Sequence, residues 1–353
     1  MIANIRALAT ACAFYMFGAP VPGKGGDCGK SLFLDIRDNL FGRYLYLFLK
    51  FFLLEGYVVY LPKSLTLIRR LQGDPIAAGL LQEGSVHFGK PPGTGATIVI
   101  GQKSISADYF SKSDDDVISS RVYYVPMSQH PLMYHNGWWN APIEDGGRKR
   151  SVFMAGNFDP GAYGRLEKDR IFEVMSRTAL YDLLAKRKLL YGIDSLDKMM
   201  AFLDSGEDHK IILVNRLICD IPMWHLRNLL GKFDFYFALP GVVMPFSHNI
   251  IEAMSSGAIP FIQESYAGLF KPVLEDEVHA ILFKGQHDLE ARLDYMLRLP
   301  RGKIASMRTN IYAYYNEHLT PAAVVQKIEG TVYDKIFLQA EGESVKLFKL
   351  YPA

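Results

Sequence analysis

Residues 32–62 alternate in a way that leaves few architectures open. A short apolar run, LFLDI (32–36), is followed by a helix-length stretch, RDNLFGRYLYLFLKFFLLEG (37–56), and then by GYVVYLP (56–62). Strand, helix and strand within about 30 residues make a βαβ unit, whose strands lie parallel because the helix carries the chain back across the sheet. The central stretch FGRYLYLFLKFFLLEG (41–56) is apolar almost all round, broken by Arg43, Lys50 and Glu55. Fifteen or so residues, short of the about 20 a bilayer span needs and bounded by charges, read as a buried helix. Its aromatics leave peripheral membrane contact as a second use. SVHFG (85–89), ATIVIG (96–101) and RVYYVP (121–126) supply further strands and complete a small α/β domain over 31–135.

GKGGDCGKS (23–31) precedes the first strand and ends like a phosphate-binding loop. Such a loop needs four residues between its first glycine and the Gly-Lys pair, so that successive backbone N–H groups converge on the phosphates. Here Gly23 leaves five and Gly25 leaves three, and the residues after Ser31 read as a strand where a phosphate loop requires a helix. The stretch is read as the end of a Gly/Lys leader over 1–30; a P-loop kinase or NTPase, the rival reading, would make Lys30 essential.

The 353 residues suffice for two domains. With 39 Lys and Arg against 37 Asp and Glu, the net charge of +2 gives no footprint for nucleic acid. Cys12, Cys28 and Cys219 are scattered and odd in number, which fits a reducing compartment and offers neither a disulfide framework nor a metal knuckle. ALATACAFYMFGAP (7–20) is too short to span a bilayer. It has the look of a signal peptide, but an ordinary N-terminal segment of a cytoplasmic protein, one that can work at the inner face of the membrane, is the reading taken.

Prolines, glycines, Trp138-Trp139 and a basic run fill SQHPLMYHNGWWNAPIEDGGRKR (128–150), the composition of a linker, placed at 136–150. A second domain over 151–335 opens on SVFMAGN (151–157), a strand ending at Gly156-Asn157. A polar helix over 163–186 follows, then strands KIILVN (210–215) and FDFYFALPG (233–241) flanking a helix. After a short helix at 248–256 come strands AIPFI (258–262) and HAILF (279–283), with helices to the end; 336–353 is expected to pack back on the first domain. The pattern predicts an α/β fold of two doubly wound Rossmann-like domains facing across a cleft.

The stretch 233–268, FDFYFALPGVVMPFSHNIIEAMSSGAIPFIQESYAG, concentrates the chemistry. A buried strand runs out at Pro240-Gly241, Ser247 stands where an N-cap belongs, and Gly257 stands at the matching stop. The free N–H groups of this helix lie at the carboxyl edge of a parallel sheet, a place suited to a diphosphate. Glu252 is flanked by Ile250, Ile251, Ala253 and Met254 in a helix made for burial. A buried carboxylate needs donors, either ribose hydroxyls or a nearby cation such as Lys271 or Lys284.

The run SHNIIEAMSSGAIPF (247–261) resembles the nucleotide-sugar signature of GT-B glycosyltransferases, in particular the exostosin-like pattern. DFYFALPG and SVFMAGN resemble the strand and loop, and the first strand, of that family's donor domain, over about 150–330. The resemblance implies an enzyme moving sugar from a UDP-, GDP-, TDP- or CMP-sugar to a glycan or lipid-linked glycan of the cell surface or envelope. It implies that Glu252 holds the donor ribose and that Ser247, His248 and Asn249 lie near the diphosphate or the sugar, with Gly241 and Asn157 in the adjoining loops. Retaining members often carry a second glutamate eight residues before the first; Met244 stands there, so an inverting transfer is expected.

An inverting displacement needs a base for the acceptor hydroxyl and positive charge for the leaving phosphate. Fold analogy puts the base in the first domain, where Asp35 and Asp38 lie at the end of the first strand, with His130, His135 and His87 as alternatives. Arg165, Arg170 and Lys284 are the candidates to reach the diphosphate. Asp114-Asp115-Asp116 sits in a polar turn and is read as solvated, so no metal is expected. A non-catalytic protein binding glycan through Trp138 and Trp139 is the alternative from another class.

Overall fold

A computed structural model of the chain describes residues 29–37, 41–93, 95–110, 121–144, 146–163 and 172–350. Its strands are β1 (Lys30–Asp35), β2 (Val58–Leu61), β3 (Val86–Phe88), β4 (Ala96–Gly101), β5 (Ile105–Ser106), β6 (Val122–Tyr124), β7 (Lys149–Gly156), β8 (Ile211–Asn215), β9 (Phe233–Ala238), β10 (Ile259–Gln263), β11 (Ile281–Phe283) and β12 (Lys335–Phe337). They divide into two compact units: one takes in the described residues up to Pro126 and those from Thr320 onward, the other is Met127–Leu319.

In unit one, the described residues form a parallel sheet in the order β3-β2-β1-β4. The helix Arg43–Leu54 makes the β1-to-β2 crossover, as the opening pattern requires. Its apolar circumference is explained by burial: Tyr44, Leu45, Tyr46, Leu47, Phe48, Leu49, Phe51 and Phe52 are all buried. Phe52 packs edge-on against both Phe48 and Tyr57, with ring centroids 5.4 and 5.2 Å away. Among the described residues, no helix is long and apolar enough to cross a membrane. Lys30 opens β1 at its amino end, and its Nζ pairs with Glu329 Oε1 at 2.6 Å. A phosphate loop would stand at the carboxyl end of a strand and lead into a helix, so this lysine is not placed as one; residues 23–28 of GKGGDCGKS lie outside the described set.

RVYYVP does form a strand, but in a separate parallel sheet of order β5-β12-β6. Strand β12 lies where the sequence pattern indicated only helix. Pairing on both sides and burial of Ile336 and Phe337, with Phe337 stacked on Tyr124 at 4.7 Å, override the weak local signal.

In unit two, the described strands form one parallel sheet, β11-β10-β9-β7-β8. Every residue of β9 is buried, the pattern of a central strand covered on both faces. Phe233 stacks on Phe153 at 4.7 Å, and Phe261 on Phe283 at 4.9 Å. Asp234, also in β9, is neutralised by Arg301 at 3.0 Å and by Arg308. The segment 127–150, linker-like in composition, belongs to this unit and carries the helix Pro131–His135. The helix foreseen over 163–186 is confined, at its described end, to Arg177–Lys186, because Ser176 caps it by accepting the Ala179 N–H at 3.0 Å.

Phe48 has no exposed surface. Phe48→Ala should therefore destabilise unit one by about 3–5 kcal/mol, read as a lower urea midpoint at unchanged slope; a midpoint shift near zero would contradict this packing.

Candidate functional site

Numbered within unit two, the strand order is 2-1-3-4-5, so the direction of winding reverses between β7 and β9. In open parallel sheets, ligands bind beyond the carboxyl ends of the strands at such a reversal. Here those ends are Gly156-Asn157 and Ala238–Pro240. Arg177 spans them: Nη1 donates to the Asn157 carbonyl at 3.1 Å, and Nη2 to the Pro240 carbonyl at 3.0 Å. The guanidinium is buried and lies 4.5 Å from the centroid of the Tyr163 ring. Gly156 leaves room for it, since an added Cβ would fall 2.7 Å from Nη1. Arg177 therefore holds two strand ends together at the reversal, a role that a lone arginine after a serine cap does not announce in sequence.

The helix His248–Ser255 starts at the same place. Gly241 donates to the Pro245 carbonyl at 2.9 Å and closes the loop leading to it. Asn249 Nδ2 donates to the Ala155 carbonyl at 3.1 Å, fixing the helix start beside β7. Ser247 has the extended backbone of an N-cap, but its hydroxyl donates to Asn249 Oδ1 at 3.3 Å rather than capping the helix. Its N–H instead meets the buried Tyr266 hydroxyl at 3.1 Å. Gly257 ends the helix at φ +75°, and a Cβ there would meet the Tyr312 ring at 2.5 Å.

Glu252 is 2 % exposed. Its Oε1 accepts the His130 backbone N–H at 3.1 Å and faces His248 Nδ1 at 3.0 Å. Its Oε2 is buried, with no hydrogen-bond partner among the described residues. The carboxylate is thus held by two histidine residues, and not by Lys271 or Lys284. The two imidazoles meet edge to face at 5.0 Å. Burial would push the Glu252 carboxyl up; the His248 imidazole and the hydrogen bonds from His248 and His130 outweigh it and hold the carboxyl below the ordinary glutamate range.

The structure thus brings Glu252, His248, Ser247, Asn249, Gly241, Asn157 and His130 to one strand reversal. His130 comes there from unit two, with its Nδ1 accepting the Leu132 N–H at 3.2 Å at the head of the helix Pro131–His135. Asn157 Oδ1 accepts the Asp159 N–H at 2.8 Å and shapes the following turn. Lys284 is exposed at the end of β11, the edge strand, with β10 between it and β9. In unit one, Asp35 ends β1 in register with Gly101 of β4, where that sheet's winding also reverses, and its side chain is exposed. His87 lies on β3 beside Tyr60, and His135 is exposed. Asp38, Arg165, Arg170 and Asp114-Asp115-Asp116 lie outside the described residues. Among the described residues, no three His, Cys, Asp or Glu side chains group as metal ligands would.

No family model matches the chain, and no curated protein matches it by sequence. Several solved structures resemble it. The Anabaena protein HepE in complex with UDP is 11% identical, with 85% of this chain and 98% of that one covered, at a TM-score of 0.39. AviGT4, a glycosyltransferase involved in avilamycin A biosynthesis, is 11% identical over 85% of this chain and 96% of its own, at 0.39. TarM is 12% identical over 78% of this chain and 54% of its own, at 0.35.

A carboxyl held low in the folded state contributes stability that is present above the ordinary glutamate range and is lost as pH falls through its lowered value. Urea unfolding followed downward from neutral pH should show an acid-sensitive limb that is shallower in Glu252→Gln. Equal slopes in the two proteins would place the acid sensitivity at other residues.

Proposed function

We propose that this chain is a GT-B glycosyltransferase whose unit two binds a nucleotide-sugar donor. The observation that carries the reading is Glu252, buried at the strand reversal with one oxygen held by His248 and His130 and the other without a partner. An ionised carboxylate is an acceptor only, so Oε2 calls for a donor that the described residues do not supply. Vicinal ribose hydroxyls have that chemistry, and the start of the helix His248–Ser255 favours the negative diphosphate attached to the same ribose. The resemblance of residues 247–261 to the exostosin-like signature supports the same assignment.

The reaction is an inverting displacement at the anomeric carbon, independent of metal, with the helix start supplying positive potential to the leaving diphosphate. Asp35, solvent-accessible at the reversal point of unit one, is the base for the acceptor hydroxyl. His130 is less suited to that task, because its Nδ1 is occupied by Leu132. The acceptor is a glycan or lipid-linked glycan of the cell surface or envelope, extended from the cytoplasmic side with contact to the membrane face.

Thermal-shift screening with UDP, GDP, TDP and CMP tests the donor site. One nucleotide should raise the melting temperature of the wild type, and Glu252→Gln should weaken its binding by about ten- to a hundredfold, the loss expected for a charged hydrogen bond; Glu252→Ala should do at least as much. A wild type that responds to none of the four, or a mutant that responds equally well, removes the assignment. Nucleotide binding without release of nucleotide from any donor sugar would point to a glycan-binding protein instead.

A further inference from the structure

Among the described residues the three sheets end in six edge strands. The free backbone N–H and C=O groups of an edge invite a further strand unless the chain keeps the edge short, charges it or covers it. Five of the six are short or covered. Strand β5 has two residues, and β3, β6 and β11 have three each. Strand β8 is flanked by Leu190, which bridges to Ile211, and the Tyr191 N–H donates to the Ile211 carbonyl at 2.8 Å. The sixth, β4, is six residues long and, among the described residues, pairs only with β1. Its sequence, ATIVIG, holds neither a charge nor a proline, and residues 97–100 are all β-branched, which favours extended backbone. Val99 is 65 % exposed. Beside the strand runs a groove of about 310 Å³, lined by residues 97–100 and by Glu329, Val332 and Tyr333, and Val332 is 75 % exposed.

We propose that this edge is where a second copy of the chain docks, its β4 lying antiparallel to the first about a two-fold axis at Val99. The inference is independent of the donor reading. A two-fold contact sets one surface against itself, so that surface must be self-complementary. Strand β4 meets the condition along its length, because a strand without charge puts no like charges opposite one another. Its ends are complementary as well. At the amino end, Lys30 begins β1 in register with Ala96 and pairs with Glu329, whose side chain is 30 % exposed. Beyond the carboxyl end stand the exposed Lys103 and Lys335, with Lys335 Nζ donating to the Lys103 carbonyl at 2.6 Å. Antiparallel pairing brings the amino end of each strand to the carboxyl end of the other, and so sets Glu329 of one copy toward Lys103 and Lys335 of the other. Val99 and, across the groove, Val332 then lose their contact with water. Two four-stranded sheets become one of eight strands, in which the carboxyl ends of the two β1 strands, each with its Asp35, point in opposite directions and stay open.

The test is sedimentation velocity on the full chain at concentrations up to about 100 μM, a hundredfold above a micromolar Kd. The wild type should sediment at twice the mass of the chain. Val99→Lys and Val99→Glu should each sediment as single chains, since like charges then stand opposite one another across the axis. Both should keep the circular dichroism spectrum of the wild type, because the side chain of residue 99 faces water in the single chain. Mixed in equal amounts, the two charged variants should regain the double mass, a recovery that neither an unfolded variant nor contact through another face would give. Val99→Thr, neutral and β-branched, should remain a dimer. A wild type that is a single chain throughout overturns the proposal and leaves the edge to a different protein. Charged variants that each remain dimers overturn it by placing the contact on another face, and so does a mixture of them that stays single.

Discussion

A carboxylate taken out of water must be given donors by the chain that buries it, and much of unit two is arranged around that requirement at Glu252. The donors come from one turn earlier in the same helix and from a segment more than 100 residues away in sequence, since the His130–Glu252 separation is 122. That segment is itself pinned. Gln129, fully buried, donates to the Tyr315 hydroxyl at 2.8 Å and to the Trp139 carbonyl at 3.1 Å, and its N–H meets the Tyr134 hydroxyl at 3.3 Å. Residues close to both ends of unit two, Gln129 and Tyr315, thus meet in one network beside the carboxylate. What reads in composition as a loose connection is, in packing, a pinned segment that gives Glu252 one of its donors.

The architecture was legible because it is written in periodicity. Apolar runs of strand length separated by helix-length stretches gave β1, β2, β7, β8, β9, β10 and β11 nearly at their observed bounds. A helix apolar all round was legible as buried, because charges bound it and its length falls short of a span. What periodicity cannot carry is which distant groups meet. The partners of Glu252 are a backbone N–H, which has no sequence signature, and a histidine one helical turn away, which has one: the spacing from His248 to Glu252 is i, i+4, and residues so spaced face each other. Arg177 was invisible for a different reason, since its bonds go to backbone carbonyls at strand ends. Strand β12 was missed because it stands between two helical segments, and its pairing with β5 and β6 on either side, rather than its local pattern, makes it a strand.

The two units apply one geometric rule to different chemistry. In each, strand order reverses beside the first strand, and a carboxylate residue sits close to that point, Asp35 in one and Glu252 in the other. Their environments differ sharply. Asp35 is exposed, whereas Glu252 is sealed and held by histidines. A sealed carboxylate held below its ordinary range, as Glu252 is, keeps its charge and acts as a fixed acceptor.

Unit two is continuous in sequence, whereas unit one is not. The middle strand of the β5-β12-β6 sheet comes from residues 335–337, so β5 and β6 lack the strand that joins them until those residues have been made. The partner of Lys30 and Tyr57, Glu329, comes equally late. During synthesis from the N-terminus, unit two has every residue of its sheet available while unit one still waits for its last strand. The part made first is therefore the part finished last, and the returning segment from Thr320 onward acts as the clasp that closes it.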